Sequence, residues 1–243
     1  MSLPWLLLRG LMRDARHWGD FPRQLAVATQ GPVFTLDLAG NGQRHAETSP
    51  ATVSGLAADI AHQWQRARGG PVRILALSLG GMVAVEWARQ APDIVAELRL
   101  CNTSLRPYSA PWERFQPKAI PKLLTLLLTR PTAETVEADI LGLTSNRAEA
   151  HQALLVDWVY WRRTHPVSAG NVLRQLAAAA RYRASAAPTV ATRILCSDGD
   201  RLVSSQCSKW LAAAWQVPIA VHPSAGHDLP LDDPEWTIAQ LDP

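Results

Sequence analysis

The sequence predicts an α/β protein: a doubly wound, mostly parallel sheet covered on both faces, with a helical segment inserted late in the chain. Three observations carry this expectation. Short runs rich in Val, Ile and Leu alternate with longer segments of helical periodicity. The runs are apolar nearly throughout, as strands buried on both faces are. Between about residues 106 and 187 the alternation stops and only helical patterns remain.

Taken in order, strands are predicted at 4–8 (PWLLL), 33–38 (VFTLDL), 72–77 (VRILAL), 97–102 (ELRLCN), 193–197 (RILCS) and 217–221 (VPIAV). Helical patterns fall at about 14–29, 51–67, 79–90, 204–215 and 232–241. The stretch without strands includes "PKLLTLLLTR", "AEAHQALLVDWVYWRR" and "NVLRQLAAAARYR", punctuated by Pro107, Pro111, Pro117, Pro121, Pro131 and Pro166. The expected organisation is therefore a core of 1–105 and 188–243 with a helical cap at 106–187. In such a sheet a ligand is expected at the C-terminal ends of the strands.

Bulk composition narrows the function classes. The chain has 243 residues, 47% of them hydrophobic and 19% charged, which describes a packed domain and not a disordered one. A net charge of +3 with scattered basic residues argues against a nucleic-acid partner. The three cysteines, Cys101, Cys196 and Cys207, show no metal or disulfide spacing, so a reduced compartment and no structural metal are expected. "LPWLLL" near the start is too short for a signal or a span, so no membrane span and a cytoplasmic location are expected.

The chemistry sits in four stretches. In "RILALSLGGMVAVEWARQAP" (73–92), Ser78 falls at the hinge between a strand and a helix. A serine there is either a helix cap or a nucleophile lifted above the sheet edge by a tight turn. That turn needs small neighbours, supplied by Gly80 and Gly81 on one side and Ala76 on the other. "SAGHDLPLDDPEW" puts His227 in a loop between the last strand and the last helix, and "ILCSDGDRLVSS" offers Asp198 and Asp200 after the strand before it. Asp200 is the preferred acid, because Leu202 and Val203 would anchor its loop while Asp198 beside Gly199 reads as a turn residue. The other common acid position, "CNTS", has no carboxylate. A carboxylate orienting an imidazole that deprotonates a serine is the logic of nucleophilic acyl transfer. Upstream, "RGLMRDARHW" turns at Gly10, where backbone can approach a substrate, so the N–H groups of Leu11 and Leu79 are candidate oxyanion donors. Gly10 and Trp18 are the candidate substrate-binding residues.

These residues resemble the α/β-hydrolase superfamily along essentially the whole chain, beginning at what would be that family's third strand. The matching pieces are "RGLMRDARHW", "LDLAGNG" (Asp37, Gly40 and Gly42), "LSLGGMVAVEWA", "DGDRLV" and "AGHDLPLDDPEW", in that order. The resemblance implies a triad of Ser78, Asp200 and His227 with Leu11 and Leu79 as oxyanion donors, and chemistry that needs no metal or organic cofactor. The compact form with a helical cap looks most like small carboxylesterases of the pimeloyl-carrier-protein methyl ester esterase type. Three positions depart from the family pattern: Arg9 stands for a histidine, Ala39 for a proline and Ala76 for a glycine. None removes a catalytic atom. A serine nucleophile also separates the chain from haloalkane dehalogenases and epoxide hydrolases, which use aspartate.

The expected function is hydrolysis of a small-molecule ester or thioester through an acyl-enzyme. Two alternatives stay open: a lyase or synthase using the same residues as a base, as in menaquinone-pathway synthases, and a catalytically silent binding protein. The cap segment carries eleven Lys/Arg against six Asp/Glu, so an anionic acyl carrier such as coenzyme A or acyl carrier protein is one expected partner and a solvated basic surface the other reading. Leu123, Leu124, Leu127, Leu128, Trp158 and Trp161 either line an acyl tunnel or bury the cap against the core. Arg44 and His45 fall where they could border the cleft, and His17 is read as non-catalytic.

Overall fold

The structure, a computed structural model, describes residues 2–129, 131–184 and 186–241, without the side chains at 123 and 126–128. Three of the four leucines expected at an acyl tunnel, Leu123, Leu127 and Leu128, thus have side chains outside the described part. The chain runs β1 (Trp5–Leu8), α1 (Phe21–Thr29), β2 (Val33–Leu36), α2 (Val53–Ala67), β3 (Val72–Leu77), α3 (Leu79–Gln90) and β4 (Val95–Cys101). Five helices follow: α4 (Pro111–Arg114), α5 (Ile120–Leu128), α6 (Ala133–Thr144), α7 (Leu154–Thr164) and α8 (Ala169–Arg181). The chain then returns through β5 (Ala191–Ser197), α9 (Ser205–Trp215), β6 (Ile219–His222), α10 (Leu229–Asp232) and α11 (Pro234–Ala239).

Among the described residues the six strands form one sheet in the order β2-β1-β3-β4-β5-β6, every pair parallel. The α/β class holds, and the sheet is wholly parallel. The period of two along each strand divides the core. Leu6, Leu8, Ile74, Ala76, Leu98 and Leu100 face one side with Leu56, Ile60 and Trp87 of α2 and α3. Trp5, Leu7, Leu75, Leu77, Cys101 and Leu195 face the other with Phe21 and Leu25 of α1. Each such fully buried large side chain contributes about 1.5–3 kcal/mol.

Boundaries differ from the expectation where a local rule intervenes. The predicted helix 14–29 is a short 3-10 turn, Ala15–Trp18, followed by α1, whose Pro22 sits in its first turn. The predicted helix 232–241 is α10 and α11, separated at Asp233, whose extended backbone and side-chain bond to Trp236 N (2.9 Å) start α11.

The sheet order has a functional consequence. From β1 the chain moves outward to β2, then crosses to β3 on the other side of β1. The connections after β1 and β3 therefore diverge, and the crevice between them opens at the strands' C-terminal ends. Gly10 follows β1 and Ser78 follows β3.

The helices between β4 and β5 dock on this edge through buried polar groups. Glu137 of α6 lies between Arg13 (Nη1–Oε2 2.6 Å) and the Nε of Arg162 on α7. Burial opposes its charge, but the two arginines outweigh burial and hold its carboxyl below the usual range. Asn171 and Gln175 of α8 bond the loop after β2: Asn171 accepts from Ser49 N (2.9 Å), and Gln175 donates to Asn41 Oδ1 (2.8 Å).

Candidate active site

Ser78 joins β3 to α3 with φ 57° and ψ −118°, a conformation that costs a non-glycine residue about 1–3 kcal/mol. Its surroundings over-determine it. Its N–H donates to Cys101 O (2.9 Å), and its carbonyl accepts from Gly81 N (2.9 Å) and Thr103 Oγ1 (2.7 Å). The hydroxyl makes no cap bond to α3, so the helix-cap reading is not realised. A Cβ at Gly80 would lie 2.7 Å from the carbonyl oxygens of Leu8 and Arg9, which explains the need for glycine after the serine. Ala76 is fully buried, its methyl absorbed by the apolar layer under α2 and α3.

The turn after β1 leans on this elbow. A Cβ at Gly10 would sit 3.1 Å from Ser78 Cβ and 3.2 Å from Leu77 O, tighter than side chains normally pack. The backbone N–H of Leu11 and that of Leu79, the first residue of α3, have no hydrogen-bond partner among the described residues. Two free donors thus flank the serine.

His227 is buried, and its Nδ1 lies 2.7 Å from Asp200 Oδ2. A carboxylate only accepts, so Nδ1 carries the proton and Nε2 is left as the basic nitrogen. Asp200 is held in turn: its other oxygen accepts the N–H groups of Leu202 (2.8 Å) and Val203 (2.9 Å). Asp198 faces away, bonded to Ser205 (2.7 Å) and Lys209 (2.6 Å) at the surface. The structure therefore brings Asp200, and not Asp198, to the imidazole.

Ser78 and His227 line one cavity of about 80 Å³, together with Gly10, Leu11, Phe115 and Leu143. Among the described residues they make no direct hydrogen bond to each other; such contacts commonly tighten only when substrate is bound. A second chamber of about 480 Å³ also includes Leu11, Ser78, Phe115 and Leu202, and extends under α8 and α4. The serine sits where the two chambers meet.

Trp18 requires a correction: it was expected at the substrate, but it is buried in the core beneath α1, 5.7 Å from the Phe21 ring and outside both chambers. Its indole packs in the layer with Phe21 and Leu25, and the Arg9 guanidinium lies over it at 4.7 Å. His17 also packs away from the cleft, between Trp158 and Trp161 at 5.3 Å each. Those two tryptophans cover the inserted helices' contact with the core, in place of a tunnel. Burial, with Arg13 close by, lowers the His17 pKa to about 4, so it is neutral and accepts from Asp14 N (3.2 Å). Arg44 pairs with Asp59 (2.6 Å) and with Glu47, outside both chambers.

In the sequence Arg9 stands out only as a departure from the family pattern, and neither Asp228 nor Asn102 is given a part in the site. Arg9 and Asp228, both buried, form a two-point ion pair (Nη1–Oδ1 3.0 Å) beneath the cavity, and both line it. Burial opposes the Asp228 charge, but Arg9 prevails and holds it below the usual carboxylate range. Asn102, at φ 46°, donates to His227 O (2.8 Å) and accepts from Ser197 N (3.0 Å), fixing the histidine loop to the ends of β4 and β5. The visible hint was the polar "CNTS" at a strand end, where no carboxylate was found. Among the described residues no group of three or more His, Cys, Asp or Glu is placed to hold a metal, and no helix is long and apolar enough to cross a membrane. All three cysteines are buried thiols.

Comparison with known proteins is consistent with this geometry. Residues 5–240 match the family described as the Alpha/beta hydrolase family. A thermophilic esterase from Thermogutta terrifontis superposes with a TM-score of 0.74 at 24% identity, covering 99% of this chain and 88% of that one. The enol-lactonase from Burkholderia xenovorans superposes with a TM-score of 0.73 at 19% identity, covering 99% and 90%. Among curated sequences, a protein of Azorhizobium caulinodans provisionally named carbamate hydrolase RutD is 28% identical over 99 residues, 41% of this chain and 37% of its own. The match thus spans little more than a third of that relative's length.

Proposed function

Since the chain belongs to the alpha/beta hydrolase family, we propose that it is a serine hydrolase cleaving a carboxylic ester or thioester through an acyl-enzyme. The observation that carries this reading is the buried 2.7 Å bond between His227 Nδ1 and Asp200, which leaves Nε2 as a base in the cavity that Ser78 lines. In the first half-reaction His227 takes the proton from Ser78 Oγ as that oxygen bonds to the substrate carbonyl carbon. The negative charge on the carbonyl oxygen is met by the N–H groups of Leu11 and Leu79; loss of one such donor costs about 2.7–4 kcal/mol. Collapse expels the alcohol or thiol, which takes the proton from His227. In the second half-reaction His227 deprotonates a water that attacks the acyl-serine, and collapse releases the acid and restores the serine.

Within this reading residues 106–187 act as a cap. Phe115 near α4 and Ile140 and Leu143 of α6 supply its apolar side of the cleft.

The test is labelling by a fluorophosphonate probe with peptide mapping, alongside hydrolysis of nitrophenyl esters and acyl thioesters. Labelling confined to Ser78, with turnover lost in Ser78→Ala, is the expected result. A folded protein in which Ser78 stays unlabelled overturns the assignment.

A further inference from the structure

The larger chamber is apolar along most of its length, lined by Leu11, Met82, Phe115 and Leu176, yet it also contains two guanidinium groups, Arg106 and Arg114. Neither has a carboxylate partner among the described residues. Their bonds run to the main-chain carbonyls that end α8: Arg114 Nη2 to Ala179 O (2.6 Å), and Arg114 Nη1 and Arg106 Nη1 each to Ala180 O (3.4 Å). Arg114 Nε reaches Ser104 Oγ at 3.5 Å. A guanidinium has five N–H donors, so both groups keep donors in hand.

The contrast with the buried arginines at the other chamber is informative. There Arg9 faces Asp228, and Arg13 faces Glu137. In the larger chamber two like charges converge on neutral carbonyls with nothing of opposite sign between them. Burial above all lowers the Arg114 pKa; Cys207 opposes it, and repulsion from Arg106 adds the smallest part. Arg106 is exposed and Arg114 half-buried, so both stay charged without a partner, and a carboxylate matches the planar fork of a guanidinium in two-point geometry.

Resting on the serine hydrolase reading, we propose that the preferred substrate carries a carboxylate at the end remote from the scissile bond, bound by Arg106 and Arg114 with an apolar chain spanning the chamber to Ser78. The substrate class is then a half-ester or half-thioester of a dicarboxylic acid, or an ester whose alcohol bears the acid. Binding there gives the two guanidiniums an anionic partner, and the apolar lining selects the chain between the two ends. Either way the anion fixes which half of the substrate enters which chamber.

The experiment compares kcat/KM for nitrophenyl half-esters of the dicarboxylic acids from succinate to suberate with nitrophenyl alkanoates of matched length. A second arm compares acetate esters of hydroxycarboxylic acids with acetates of the matching alkanols. The expected result is a preference of about tenfold or more for the anionic member in one arm, expressed mainly in KM. In Arg114→Met the ratio of anionic to neutral substrate collapses towards unity, and Arg114→Lys restores part of it. Arg106→Met, at an exposed position, gives a partial loss and serves if Arg114→Met does not fold. Neutral esters turned over as well as anionic ones in both arms, or a preference that survives both methionine substitutions, overturns this inference and leaves the hydrolase reading standing. If no ester is turned over and Ser78 stays unlabelled, the hydrolase reading falls and this inference with it.

Discussion

The cleft has a sheet wall and a helical wall, and the two are held by different interactions. On the sheet wall, strand pairing sets the position of Ser78: Leu77 lies opposite Cys101, and Cys101 O takes the serine's N–H. The apolar layers beneath it are made by many side chains, none of which is indispensable. On the helical wall, α6 and α8 are fixed by a few buried polar residues, Glu137, Asn171 and Gln175. The lesson is about failure. Loss of one methylene from the sheet wall leaves a small cavity, whereas loss of one partner from the helical wall leaves a buried charge or donor unpaired.

The largest effect expected is on the sheet wall and is chemical. Ser78→Ala should lower kcat on the order of a millionfold, as loss of a serine nucleophile does elsewhere, while urea denaturation shows little change in stability. Substantial residual turnover in a protein freed of contaminating esterase would remove Ser78 from the mechanism. On the helical wall, Glu137→Gln strands Arg13 and Arg162, and a loss of about 3–5 kcal/mol in unfolding free energy is expected. The exposed Glu134→Gln, beside Arg163, should leave the unfolding free energy essentially unchanged in the same assay. Equal costs for the two would dissolve the contrast between buried and surface pairing.

Acid should act on the helical wall first. The folded pKa of His17, lowered to about 4, lies below its ordinary 6.5, so the unfolded chain binds a proton that the folded one refuses between those values. Stability is full above about pH 6.5 and declines by up to about 3 kcal/mol as pH falls to about 4. Glu137 and Asp228 are depressed carboxylates, so their contribution is present above the usual carboxylate range and is lost as pH falls below it. Unfolding free energies measured from pH 7 to 4 should slope in the wild type and flatten above the carboxylate range in His17→Gln. An unchanged slope in the variant would assign the acid sensitivity elsewhere.

Smaller again is Gly10→Ala. Its new methyl meets Ser78 Cβ at 3.1 Å and Leu77 O at 3.2 Å, displacing the Leu11 N–H by a fraction of an ångström. A loss of up to about a hundredfold, in kcat more than in KM, is expected from steady-state kinetics. A pure KM effect would instead place Gly10 in substrate binding alone. The smallest change is Asp198→Asn, whose exposed ion pair with Lys209 is worth less than about 1 kcal/mol and whose loss should leave the pH–rate profile unmoved. A shifted profile would reopen the choice between the two aspartates.

The same division explains what could be read from the sequence. The sheet wall was legible because its signals are local: apolar runs for β1 and β3, small residues around Ser78, and residue types as chemically marked as serine and histidine after strands. Helix bounds failed where Pro22 and Asp233 interrupt a helical period, and the ends of β2, β4, β5 and β6 moved by one or two residues. The helical wall was not legible, because Glu137 meets Arg13 across 124 residues and Gln175 meets Asn41 across 134. Nothing in the immediate neighbours of either names its partner. Trp18 was misplaced for a related reason: proximity in sequence to Gly10 says nothing about which face of the sheet a side chain takes.

The Arg9–Asp228 pair closes a loop of 219 residues between the segment that carries Gly10 and the one that carries His227. Loop-closure entropy makes so distant a contact among the slowest to form. The Ser78 elbow, with β3 and α3 adjacent in the chain, can form early, but His227, its base in the proposed mechanism, arrives only when the C-terminal loop docks. Turnover during refolding is therefore a readout of complete assembly, and it should lag behind helical circular dichroism rather than rise with it.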